Sequence, residues 1–193
     1  MKLILSSSDF RNSKSEKFIH LHLGKPISDV KVLYFPNEKA TAESIKSGMY
    51  EKRLMELGFQ KKNIYVANYF SPSPFFHLKI DAVYISGGNT FGTMKHLRES
   101  GLDKAILNYV QNGVIYIGGS AGAHIATADI SHVAKYDRDT FGLTDLSGLG
   151  LYNGILICHY SDERKDDFEM LKTMSRYPVH ALSDEDSILV RDE

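Results

Sequence analysis

"IYIGGSAGAHIAT", residues 115–127, decides the fold. An apolar run suited to a buried strand enters two glycines, a serine and Ala-Gly, and then a segment of helix formers. Gly118-Gly119-Ser120-Ala121-Gly122 is G-x-S-x-G between a strand and a helix, the context of a nucleophile elbow. Flanking glycines let the backbone fold tightly, so the Ser120 hydroxyl projects at the edge of a sheet. The Ala121 N–H then lies beside it at the positive end of the following helix, where it suits a developing oxyanion. The competing reading is a plain glycine-rich turn with Ser120 as the helix N-cap.

Outward from this stretch, short apolar runs alternate with amphipathic segments. "KLIL" (2–5), "KVLYF" (31–35), "NIYVA" (63–67), "AVYIS" (82–86) and "VIYIG" (114–118) read as strands buried on both faces. Tyr50, Leu54 and Leu57 before Gly58, and Phe91, Met94 and Leu97 before Gly101, mark helices with their stops. Leu102, Ile106 and Val110 before Asn112-Gly113 mark a third. Strands separated by helices predict right-handed crossovers: an α/β fold with a mostly parallel central sheet and helices on both faces. "ILIC" (155–158) is a further strand and residues 166–176 a helix. "VHAL" (179–182) and "SILV" (187–190) read as a closing strand pair joined through "SDED". No repeat, low-complexity tract or linker interrupts the chain, so residues 1–193 are read as one domain.

Sites in open α/β sheets form beyond the carboxyl ends of the strands. At one such end, "YISGGNTF" (84–91), Gly87-Gly88 frees backbone N–H groups, and Gly88 is the expected second oxyanion donor beside Ala121. A phosphate-binding turn is the alternative there. At another, "ILICHY", His159 directly follows a strand and emerges on the same edge as Ser120. It is the expected general base, with His124 and His132 as alternatives. An acid should orient that histidine. The loop offers Asp129, Asp137, Asp139 and Asp145, and the "SDED" turn offers Asp184, Glu185 and Asp186; spacing does not choose among them.

Composition narrows the partners. With 24 acids against 23 Lys and Arg, the net charge of -1 gives no electrostatic case for nucleic acid or an anionic membrane. The one cysteine, Cys158, rules out an intrachain disulfide and reads as a buried thiol. The amino-terminal apolar stretch is too short for a signal peptide, and no window reaches the ~18–20 apolar residues of a membrane span. A cytoplasmic protein without metal or cofactor is expected. A nucleotide- or anion-binding module would want a basic residue at the glycine turns, and "SGGNTFG" and "GGSAGAH" contain none. That module and a catalytically silent relative are the competing classes.

Together, "YISGGNTF", "GLDKAILNYVQNGVIYIGGSAGAHIA" and "ICHY", in this order and spacing, resemble the peptidase E (aspartyl dipeptidase) family of serine peptidases, whose relatives include cyanophycinase-like enzymes. The resemblance is strong over residues 80–130, extends to 190 and is weak over 6–75. It implies a flavodoxin-like fold related to class I glutamine amidotransferases, with serine in place of their cysteine. Ser120 matches the family nucleophile and His159 its histidine. Asp137 falls at the charge-relay aspartate, and Glu185 at a glutamate that serves some relatives; both stay open. Asn89 and Arg164 are the expected substrate-binding residues. Arg164 matches the first arginine of a motif linked to acidic substrates, while Asp167 stands where a second would be. The expected function is therefore a serine exopeptidase acting on short peptides. An acidic amino-terminal residue is the finer expectation, and a homodimer is left open.

Overall fold

The computed structural model describes residues 1–191. In chain order it contains β1 (Lys2–Ser6), α1 (Ser13–His22), β2 (Val32–Phe35), α2 (Ala42–Lys46) and α3 (Met49–Leu57). Next come β3 (Ile64–Val66), β4 (Ala82–Ile85), α4 (Thr90–Ser100), α5 (Leu102–Gln111), β5 (Ile115–Gly119) and α6 (Ala121–Ile125). The chain continues through β6 (Ile155–Ile157), α7 (Lys165–Met174), β7 (Val179–Ala181) and β8 (Ser187–Arg191). The central sheet has the order β3-β2-β4-β5-β1-β8. Its strands run parallel except β8, which lies antiparallel along β1.

Strand residues alternate between two apolar layers, as the period of two requires. Leu3, Leu5, Leu33, Phe35, Val83, Ile85 and Tyr116 pack with Phe91, Met94 and Leu97 of α4 and with Leu102 and Ile106 of α5. Ile4, Val32, Tyr34, Ala82, Tyr84 and Ile117 pack on the other face with Ile19 of α1 and Leu54 and Leu57 of α3. Both faces of the sheet are covered, which explains why its strands read as continuous apolar runs. The helix stops also hold, with Gly58 and Gly101 in left-handed C-cap conformations. Cys158 is buried and free. Among the described residues, no helix is long and apolar enough to cross a membrane.

The closing strand pair is a correction. β7 pairs in parallel with β6 in a separate two-stranded sheet, and β8 pairs with β1 from Lys2↔Arg191 to Ser6↔Ser187. Either edge satisfies the backbone, but β8 also covers the otherwise open side of β1. The turn at 183–186 therefore joins two sheets rather than closing a hairpin. Ser183 pins it by donating from N and Oγ to Asp186 Oδ2 at 2.9 and 2.7 Å. It lies at the carboxyl end of β1, where Ser7 N donates to Asp186 O at 3.2 Å.

Candidate active site

The elbow is built by exclusion of side chains. A Cβ on Gly119 would stand 1.8 Å from Asp9 Oδ1, and one on Gly122 would stand 2.1 Å from the Ile85 carbonyl oxygen. Only glycine lets β5 and α6 approach their neighbours this closely. Between them Ser120 is held at φ 46°, ψ −104°, a conformation that a residue with a Cβ keeps only when its surroundings enforce it. The enforcement is visible: Ser120 N donates to Ser6 O at 2.8 Å, and the Cys158 thiol contacts Ser120 O at 3.8 Å.

Ser120 Oγ lies 2.8 Å from His159 Nε2. His159 also has a left-handed backbone, φ 54°, and its N–H donates to Ser7 Oγ at 2.7 Å. On the other side of the ring, Nδ1 lies 2.5 Å from Asp184 Oδ1. A serine hydroxyl can donate to Nε2 only when the proton sits on Nδ1, and a carboxylate at Nδ1 favours that tautomer. Ser7 Oγ also donates to Asp184 Oδ1 at 3.4 Å, and Asn12 Nδ2 donates to the Asp184 carbonyl at 2.7 Å. The Asp184 side chain is nevertheless 67% exposed.

The other candidate histidines are occupied elsewhere. His124 is buried, accepts the Cys158 N–H at Nε2 (3.3 Å) and meets Thr90 Oγ1 through Nδ1 (3.4 Å). Burial holds its pKa well below the ordinary histidine value, so it stays neutral. His132 is also buried, with Nε2 2.8 Å from Leu156 O and its pKa lowered by burial.

The two acids singled out by resemblance do not meet His159 among the described residues. Asp137 Oδ2 accepts the Thr90 N–H at 2.7 Å, at the start of α4. Glu185 is exposed and pairs with Lys14 at 3.7 Å. Asp129 and Asp139 accept N–H groups of their own turns, and Asp145 pairs with Arg98. The partner is Asp184, named above only as one of the three acids of "SDED". Its signal was the position of that turn after a strand, and the one-residue choice within it was not legible.

The expected substrate contacts are engaged within the protein. Asn89 caps α4, with Oδ1 accepting the Gly92 N–H at 3.0 Å, and Nδ2 donating to Arg138 O at 3.0 Å. Arg164 Nη1 donates to the Cys158 carbonyl at 2.5 Å, and the guanidinium lies 3.9 Å from the centre of the Tyr136 ring. Asp167 bonds Lys135 and the Tyr136 hydroxyl. Cys158 offers no rival nucleophile: burial pushes its thiol up to about 12.

The Gly87-Gly88 turn closes the site, with a Cβ on Gly87 reaching 3.3 Å from Ser120 Cβ. Gly88 sits at φ 148° and is exposed. Among the described residues, neither the Gly88 N–H nor the Ala121 N–H donates to a protein acceptor. A groove of about 520 Å³ adjoins this turn, lined by Glu38, Lys39, Gly88, Asn89, Asp137 and Arg138 among others. No group of three or more His, Cys, Asp or Glu side chains able to hold a metal ion occurs among the described residues.

Comparison with known proteins gives the family. The family model for peptidase family S51 matches residues 2–193. An uncharacterized peptidase of Listeria innocua is 33% identical over 123 residues, covering 60% of this chain and 57% of its own length. A peptidase E of Salmonella arizonae is 44% identical over 74 residues, covering 35% of this chain and 32% of its own. The chain thus spans little more than half the length of the first curated relative and less of the second. A crystal structure of a Listeria monocytogenes protein described as a candidate peptidase E superposes with a TM-score of 0.77 at 24% identity, covering 98% of this chain and 94% of that one. At that identity the likeness shows the fold.

Proposed function

The chain belongs to peptidase family S51, and from that premise we propose that it is a serine peptidase acting on short peptides, with Ser120 as nucleophile, His159 as general base and Asp184 as the orienting acid. The observation that carries the reading is the 2.8 Å contact from Ser120 Oγ to His159 Nε2, made by two residues on enforced left-handed backbones. Strained backbone of this kind clusters at active sites, which supports the reading.

The chemistry follows from these atoms. Ser120 Oγ attacks the scissile carbonyl carbon as its proton passes to His159 Nε2. The carbonyl oxygen becomes an oxyanion, for which the Gly88 and Ala121 N–H groups are the proposed donors. Asp184 accepts the Nδ1–H and steadies the imidazolium. Collapse breaks the C–N bond, His159 gives its proton to the leaving amine, and an acyl-serine remains. Water then repeats the sequence with His159 again as base, releasing the acid and free Ser120.

An amino-terminal acidic residue in the substrate finds no support in Arg164, whose guanidinium serves the Cys158 carbonyl and the Tyr136 ring. The proposal stops at short peptides. Ser120→Ala should lower peptide hydrolysis by about four orders of magnitude or more and abolish fluorophosphonate labelling. Wild-type protein left unlabelled by the probe would overturn the reading.

A further inference from the structure

The oxyanion turn is held by carboxylates. Gly87 and Gly88 give it little stiffness of their own, since glycine restricts the backbone least. Three acids from three separate loops close around it. The Asp9 carboxyl, after β1, lies against the turn, with Oδ2 3.6 Å from the place of a Gly87 Cβ. Glu38 Oε2, after β2, accepts the Asn89 N–H at 2.8 Å. Asp137 Oδ2, from the segment before β6, accepts the Thr90 N–H at 2.7 Å. The two N–H groups that follow Gly88 are thus each taken by a carboxylate, and the Gly88 N–H is not.

We propose that Asp9, Glu38 and Asp137 form a carboxylate collar whose task is to aim the Gly88 N–H, so that all three are positioning residues for the reaction at Ser120. The proposal rests on the reading of Ser120 as nucleophile and Gly88 as oxyanion donor.

The packing fits this task. Gly88 can carry no side chain, because a Cβ there would lie 2.5 Å from Glu38 Oε2 and 2.5 Å from Asn37 Cβ. Glu38 is thus pressed against the turn as well as bonded to it. Asp9 joins the turn to the elbow. It is buried, has a left-handed backbone, accepts the Tyr84 hydroxyl at 2.9 Å and fills the space that Gly119 leaves. Arg53 secures the loop by donating to the Asp9 and Phe10 carbonyls at 3.3 and 3.0 Å. Glu38 and Asp137 sit at the positive end of α4, which favours their charge.

Charge argues against the simplest alternative, direct stabilisation of the transition state. The Glu38 and Asp137 carboxylates beside a developing oxyanion repel it. What Glu38 and Asp137 supply instead is charge-assisted hydrogen bonds, shorter and stronger than neutral ones, to the two N–H groups that must not compete for the oxyanion's place, while Asp9 packs the turn against the elbow. A neutral acceptor of the same shape would keep the aim without the repulsion. That separates a positioning role from a charge role.

The test uses p-nitrophenyl acetate hydrolysis, inhibition by phenylboronic acid and complete titration of Ser120 with a fluorophosphonate. Glu38→Ala should lower kcat by about tenfold or more with KM little changed, and raise the boronate inhibition constant by a similar factor. The titratable Ser120 should stay at one per chain. Glu38→Gln, whose amide oxygen still accepts the Asn89 N–H, should match or exceed the wild-type rate. Asp137→Ala and Asp137→Asn should repeat the pattern. Unchanged kcat and boronate affinity in both alanine variants, with wild type fully labelled, would overturn the collar while leaving the nucleophile in place. So would a glutamine variant as slow as the alanine one, or an alanine variant that raises KM alone. An unlabelled wild type would instead overturn the reading of Ser120.

Discussion

Ser120 stands at the end of a central strand, against Ser6, Gly87 and Cys158, whereas Asp184, the acid of the proposed relay, stands on a turn open to solvent. The elbow is fixed by backbone geometry: a Cβ at Gly119 or Gly122 would collide with Asp9 or Ile85 at about 2 Å. The acid is fixed by side-chain hydrogen bonds from Ser7 and Asn12, with two-thirds of its own surface exposed. Buried geometry has no substitute when it is lost, while water can replace part of an exposed carboxylate's work. The two ends of the relay should therefore respond very differently to mutation.

The sharpest way to break the comparison is a methyl group at the elbow. Gly119→Ala places its Cβ 1.8 Å from Asp9 Oδ1, and the obstacle is a buried carboxylate held by Tyr84. Overpacking of this kind costs about 3 kcal/mol or more. The expected outcome is a lowered Tm and near-complete loss of hydrolysis. A folded, active Gly119→Ala protein would show that the elbow tolerates slack, and would remove the contrast with the acid side.

At the exposed end the effects should be graded. Asp184→Asn should reduce kcat by about tenfold to hundredfold, below the roughly ten-thousandfold seen when a buried triad acid is lost, because the exposed site admits water. Glu185→Gln should leave kcat within about twofold, since surface ion pairs contribute little. Steady-state kinetics on the two variants decides between neighbouring acids. A larger loss in Glu185→Gln than in Asp184→Asn would move the relay back to the residue that resemblance singles out.

That one-residue ambiguity shows what the sequence can and cannot carry. The placing of Ser120 beside the Gly87-Gly88 turn was legible because both follow strands of one parallel sheet, which sends their carboxyl ends to one edge; His159 meets Ser120 from β6 of the separate two-stranded sheet, so its approach was expected for a reason the fold does not use. The helix stops at Gly58 and Gly101 were legible because a left-handed C-cap is a local demand. The acid was not, since Asp184 reaches His159 through a turn that links two sheets, and the pairing of β8 with β1 rather than β7 is a long-range choice. The contacts of Asp137 and Glu38 with the 87–90 turn were hidden for the same reason: each is made across more than 45 residues of chain.

Stability against pH probes the buried titratable groups. His124 and His132 have pKa values lowered by burial, so the unfolded chain takes up protons below its ordinary histidine pKa of about 6.5 while the folded chain does not. Stability is present above that value and falls as pH drops toward the folded-state values. Asp9 acts in the opposite direction, since its raised pKa makes the folded state bind its proton first as pH falls. His22, also lowered by burial and by Arg191 and Lys2, acts with them, and three histidines against one carboxyl should give a net loss on acidification from about pH 7 to 5, with a limiting slope near 1.4 kcal/mol per pH unit for each unbalanced proton. Urea midpoints measured across that range should fall, and His132→Gln should flatten the dependence. A midpoint that rises on acidification would mean that the histidines are not the buried neutral groups their contacts describe.

The smallest effect is expected at Arg164, and it separates a structural cation from a recognition cation. Its guanidinium donates to the Cys158 carbonyl, immediately before His159, and lies over the Tyr136 ring. A charged donor on a backbone carbonyl and a cation on an aromatic face both steady the end of β6. The same nitrogen cannot also grip a substrate carboxylate, and the fork geometry that makes arginine a bidentate partner is already committed on one arm. Partial exposure weakens both contacts, so Arg164→Ala should lower stability by about 1 kcal/mol. The ratio of kcat/KM for an Asp-Xaa dipeptide to that for its Asn-Xaa isostere should stay within about twofold of wild type, because the residue removed supports His159 and does not read the substrate. Should the variant keep its Tm and lose the discrimination, Arg164 would be a specificity residue after all, and its bond to Cys158 would have to open when substrate binds.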